Sequence, residues 1–162
     1  MTILGIDPGK TSGAICLMDQ SGLVIDCRVM PETSMLCDLL ESWTCDHGKI
    51  KAFIEKAQTM PGQGGVSTFR YGQHYGSLEG VLICLNISHQ AVHPATWTKV
   101  MHAGCSKKEK GRKAAKARSL EAARRIWPRK SFIATERSRV PHDGIIDAML
   151  IAEYGRRFGL SN

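Results

Sequence analysis

Three short apolar runs within the first thirty residues, near 2–7, 13–18 and 23–29, are separated only by turn residues such as Pro8, Gly9, Gly13 and Gly22. Connections this short join neighbouring antiparallel strands and leave no room for a helical crossover. The chain therefore commits to a meander at its start. Met35, Leu36, Leu39, Leu40 and Trp43 then recur at helical spacing, and Ala52, Phe53 and Ile54 follow as a short strand ending at Glu55. Strands first, then a strand-helix alternation, then helices, predict an α/β chain with a mixed sheet flanked by helices.

Downstream, 57–67 (AQTMPGQGGVS) predicts a loop. Tyr71, Tyr75, Leu78, Leu82 and Leu85 mark one stripe of a long helix, and Gly72, Gly76 and Gly80 mark another. Each glycine lowers helix propensity by about 1 kcal/mol relative to alanine, so this second stripe predicts a close approach, to the sheet or to a partner helix. A strand near 90–93, a brief helix from Pro94, a helix over about 114–126, an irregular stretch over 127–141 and a last helix from Asp143 or Gly144 to Arg157 complete the pattern. At 162 residues a single domain, 1–162, is expected.

No charged leader precedes the first strand, and no apolar run approaches the roughly 20 residues of a membrane helix, so a soluble, intracellular protein is expected. The six cysteines form no CxxC pair, which argues against a zinc site or a disulfide framework and for reduced, buried thiols.

The net charge of +7 is unevenly distributed. Between Lys99 and Lys130 twelve Lys or Arg face two acids, Glu109 and Glu121, so the remainder of the chain is slightly acidic. Such a basic block is the footprint of a polyanion-binding surface, most often nucleic acid; the alternative is a solvated helix face.

Four acids stand out by context. Asp7 and Glu55 each end an apolar strand, while Asp143 and Asp147, four apart, share one face of the last helix. If that helix end lies across the strand ends, the carboxylates converge, and an all-oxygen cluster suits magnesium or manganese. Taken singly, Asp7 reads equally as a turn cap, Glu55 as a solvated strand end and Asp143 as a helix N-cap. Asp147, set among Ile145, Ile146, Ala148 and Met149, is harder to read as a surface residue.

The stretch GIDPGKTSGA, then AFIEK before a glycine-containing helix, then HDGIIDAMLIAEYG, resembles the RuvC family of Holliday junction resolvases over nearly the whole chain. The resemblance implies an RNase H-like fold with a central sheet of about five strands. It also implies a homodimer that cuts four-way DNA junctions by metal-dependent phosphodiester hydrolysis, with two Mg2+ or Mn2+ ions per active site. Asp7, Glu55 and Asp147 are then metal ligands, with Asp143 as the fourth and His142 as its alternative. Lys99 matches a basic position near the scissile phosphate, and a second falls within KKEKGRK at Lys110, or at Lys107, Lys108 or Lys113. Arg112 joins these as a DNA contact. Gln58 stands nearest the family's aromatic or apolar wedge, for which Met60 or Phe69 are the available substitutes. The long glycine-spaced helix is the candidate dimer face. A bacterial or phage cytoplasm, or an organellar matrix, is the implied setting.

Two other readings share parts of this pattern. An RNase H-like nuclease could act on other branched or hybrid nucleic acids. Actin-like ATPases and sugar kinases also open with a strand, an Asp and a glycine-rich turn, but they need a duplicated domain and a second phosphate loop that 162 residues do not supply.

Overall fold

The computed structural model describes residues 1–58, 64–106 and 109–159. Five strands, β1 (Thr2–Asp7), β2 (Ala14–Met18), β3 (Val24–Val29), β4 (Ile50–Glu55) and β5 (Ser88–Val92), form one sheet in the order β3-β2-β1-β4-β5. β1, β2 and β3 pair antiparallel, as their short turns require, whereas β4 lies parallel to β1 and β5 parallel to β4. Consequently β1, β3, β4 and β5 all end at the same edge of the sheet.

Side-chain alternation divides the core into two layers. Leu4, Ile6, Ile15, Leu17, Ala52 and Ile54 face α1 (Thr33–His47) and α2 (Gly65–Cys84). Ile3, Ala14, Cys16, Met18 and Phe53 face α3 (Pro94–Met101), α4 (Arg112–Ile126) and α5 (Asp143–Phe158). Asp7 and Glu55 have the same parity as Ile3 and Phe53, so both carboxylates emerge on the α5 face.

Helix α5 is the central helix of that layer. Ile145, Ile146, Met149, Leu150 and Ile151 are at most 3% exposed, and each full burial stabilises by about 1.5–3 kcal/mol. Two glycines let it approach the backbone. A Cβ on Gly5 would collide with the Ala148 carbonyl and come within 2.5 Å of the Ala152 nitrogen, while one on Gly144 would strike the Ser12 carbonyl. This contact holds the start of α5 across the strand ends.

The elements follow the sequence expectation to within a few residues, with three corrections. The α5 N-cap is His142, whose Nδ1 accepts from the Ile145 N–H at 3.3 Å, so Asp143 is the first helical residue and not the cap. The glycine stripe of α2 makes no close approach to the sheet: a Cβ on Gly72, Gly76 or Gly80 would meet nothing within 4 Å. Of the free cysteines only Cys16 and Cys105 are buried, and Cys45 and Cys84 are exposed. Part of the loop expected over 57–67 lies outside the described residues, and α2 already begins at Gly65. Among the described residues no helix is long and apolar enough to cross a membrane.

Candidate active site

Asp7 and Glu55 sit side by side at the ends of two parallel strands, one register step beyond the paired Ile6 and Ile54. The start of α5 adds Asp143 and Asp147. All four acids line one cleft of about 320 Å³, together with Ser12, Trp97, His102, Arg112, Lys116 and Ser119.

Electrostatics in this cleft are strained. Asp7 is pushed from its ordinary 3.8 to about 8, first by burial and then by the charges of Asp147 and Glu55. Asp147 rises to about 7, again by burial first, with the Ser119 hydroxyl and Lys116 pulling it back and Glu55 and Asp143 pushing it up. Burial also raises Glu55, against a hydrogen bond from Trp97 and the charge of His93. That bond runs from Trp97 Nε1 to Glu55 Oε2 at 2.7 Å. Among the described residues the buried Asp147 Oδ1 has no hydrogen-bond partner, a state that costs about 1–3 kcal/mol or more for a charged group.

An unpartnered carboxylate oxygen among mutually repelling acids fits a hard divalent cation in kind, because such ions take oxygen ligands and favour the ionised form. Among the described residues no three His, Cys, Asp or Glu side chains are gathered into a formed metal site. The acids line the cleft as an open set.

Several cleft residues were not singled out in the sequence. Lys116, one cation among twelve, forms an ion pair with Asp143. Trp97 and His102 come from the helix begun at Pro94, and His102 Nε2 lies 3.1 Å from Ser119 Oγ. Tyr71, on the wall of an adjoining cleft that also includes Glu55 and Arg112, is pushed up to about 12 by burial and by the Glu55 and Asp7 carboxylates. Its phenol stays protonated as a donor. The one local signal for any of these was the start of α4 inside the basic block, which turns Arg112 and Lys116 toward the acids.

The remaining expected residues fall elsewhere. Lys99 is exposed on α3 and does not line the cleft, to which α3 contributes Trp97 and Thr98. His142 caps α5, while Asp143 reaches the cleft. Lys110 and Lys113 are exposed at and before the start of α4, where Arg112 alone of the three lines the cleft. Phe69 is 66% exposed on α2. Lys107, Lys108 and Met60 lie outside the described residues.

No protein-family model and no curated protein sequence matches the chain. Solved structures do. The RuvC structure from Thermus thermophilus matches with a TM-score of 0.56 and 16% identity, over 98% of this chain and 97% of that one. RuvC from the same organism in complex with a Holliday junction substrate matches with a TM-score of 0.60 and 15% identity, over 98% and 96%. The yeast mitochondrial Holliday junction resolvase Ydc2 gives a TM-score of 0.54 and 15% identity, over 96% of this chain and 77% of that one. From end to end, the chain shares the fold of these solved structures, a mixed five-stranded sheet flanked by helices.

Proposed function

We propose that this protein is a structure-specific endonuclease that resolves four-way DNA junctions by divalent-metal-dependent phosphodiester hydrolysis. The observation that carries the reading is the convergence of Asp7, Glu55, Asp143 and Asp147, from two strand ends and one helix, on one cleft of a resolvase-like fold. These four carboxylates would hold two magnesium or manganese ions, which would supply Lewis-acid activation of water and charge neutralisation for phosphodiester hydrolysis.

The surrounding side chains have separate tasks. Trp97 orients the Glu55 carboxylate through its indole N–H. Lys116, paired with Asp143, brings a cation to the rim of the cleft, where negative charge builds on a phosphate under attack. Arg112, Lys110, Lys113 and the more distant Lys99, with Lys107 and Lys108, grip backbone phosphates, and such contacts fix position more than sequence. Phe69 is the candidate for opening the junction.

A homodimer belongs to this reading, since a four-way junction presents two symmetric strands to cut. Support comes from α2, where Val66 and Ile83 are exposed and the open glycine stripe offers a second copy a close approach. A closed two-fold pair would set two clefts in register.

The test compares cleavage of a mobile four-way junction, a Y-fork and an RNA:DNA hybrid in magnesium or manganese, by the wild type and by Asp147→Asn. Paired nicks in the junction, lost in the variant while junction binding is largely kept, are the expected result. Equal cutting by wild type and variant refutes the site, and preference for the hybrid refutes the substrate.

A further inference from the structure

A second cleft, of about 490 Å³, opens at the same end of the sheet but on the α1 and α2 face. Its walls come from the turn after β1, through Lys10, from the start of α1, through Glu32 and Thr33, and from α2, through Arg70, Gln73 and His74. Its chemistry is unlike that of the carboxylate cleft. Lys10 and Arg70 are exposed cations, and neither forms an ion pair among the described residues.

Two further observations point to anion binding. α1 is fifteen residues long and begins without a side-chain cap among the described residues: Glu32 occupies the N-cap position, and its carboxylate accepts no bond from the helix. The first N–H groups of α1 therefore face the cleft end of the helix with its positive dipole. His74 is 8% exposed, and among the described residues its Nε2 has no hydrogen-bond partner. Burial and the Lys10 charge hold this imidazole below its ordinary pKa, so at neutral pH it is an uncharged ring with one ring nitrogen unsatisfied.

Two unpaired cations, a helix N-terminus, a carboxamide and a buried imidazole with an unsatisfied nitrogen line one cleft from three elements. That set matches a tetrahedral oxyanion, which presents oxygens in several directions, better than a planar carboxylate. Glu32 opposes it and limits its strength. Asp7 lines the carboxylate cleft and Lys10, three residues later, lines this one, so the β1–β2 turn separates two sites on one rim.

We propose that this second cleft is a phosphate site, filled by a backbone phosphate of the DNA strand whose neighbouring segment lies in the carboxylate cleft. The source of the phosphate rests on the DNA-cleaving reading above; the phosphate chemistry does not.

The experiment has two arms. In the first, inorganic phosphate is titrated into 15N-labelled protein and the His74 ring nitrogens are followed by NMR. In the second, binding of a four-way junction is measured in EDTA across a salt series for wild type, Lys10→Ala, Arg70→Ala and Glu32→Gln. Phosphate should shift the His74 signal saturably, and Lys10→Ala or Arg70→Ala should abolish the shift. The same two variants should weaken junction binding by roughly three- to tenfold and each reduce the salt slope by about 0.9, the value of one phosphate contact. Glu32→Gln should tighten it. A His74 shift with junction affinities and slopes unchanged overturns the DNA source and leaves a site for free phosphate. No shift with phosphate overturns the site. Should the wild type bind no junction, the nuclease reading and the DNA source fall together, and the phosphate titration alone still decides the cleft's chemistry.

Discussion

Asp7→Asn tests the strain in the carboxylate cleft without any substrate. In the folded chain Asp7 holds its proton up to about pH 8, against 3.8 when free in water. Between those two values the unfolded chain binds fewer protons than the native one, so metal-free stability falls as pH rises from about 4 to about 8. Each unit is worth about 1.4 kcal/mol, which sets an upper bound of about 6 kcal/mol for this group. Repulsion shared with Asp147 and Glu55, relaxation of the side chains and the cost of burying an amide reduce what survives to about 1–3 kcal/mol. Urea unfolding in EDTA at pH 5, 6, 7 and 8 reads the effect directly. Wild type should lose stability steadily across this range, Asp7→Asn should lose less, and the variant should be the more stable protein at pH 8. Magnesium should then stabilise wild type at pH 8 more than the variant. Parallel pH profiles for the two proteins in EDTA would show that Asp7 is not held protonated by its neighbours, and the reasoning from burial and repulsion would fail.

Other expectations concern the fold and the tuning of Glu55. Gly5→Ala places a methyl group against the Ala148 carbonyl and the Ala152 nitrogen. Both obstacles are backbone, so a loss of about 3 kcal/mol and a melting temperature lower by roughly 6–12 °C are expected by circular dichroism; a drop under 1 °C would contradict the close approach. Trp97→Phe removes the indole N–H that holds the Glu55 carboxylate down. The acidic limb of the junction-cleavage pH profile should move to higher pH, and an unmoved limb would mean that the bond does not tune the site.

Much of this site was legible because its acids interrupt apolar sequence. Asp7, Glu55 and Asp147 each stand where a buried element should continue, and a charge there needs a reason. The neighbours were harder to read. Lys116 sits in KAAKAR among many cations, and only the packing of α4 against α5 selects it as the partner of Asp143. Trp97 reads as an ordinary core aromatic, and its bond to Glu55 depends on how α3 follows β5 beside β4. The second cleft has no linear signature at all: Lys10, Glu32 and Arg70 lie far apart in the chain and meet only because β1 and β3 end at one edge. Lys99, placed by resemblance, is exposed on α3 outside the carboxylate cleft. The glycine stripe of α2 predicts a close approach to the sheet or to a partner helix, and among the described residues the sheet does not come near it.

Divalent cations held by the four carboxylates are central to the proposed chemistry, and anomalous diffraction from crystals soaked in manganese measures that directly. Two manganese peaks in the cleft, with Asp7, Glu55, Asp143 and Asp147 oxygens as ligands, are the expected result. Manganese density elsewhere on the protein, with none in this cleft, would contradict it.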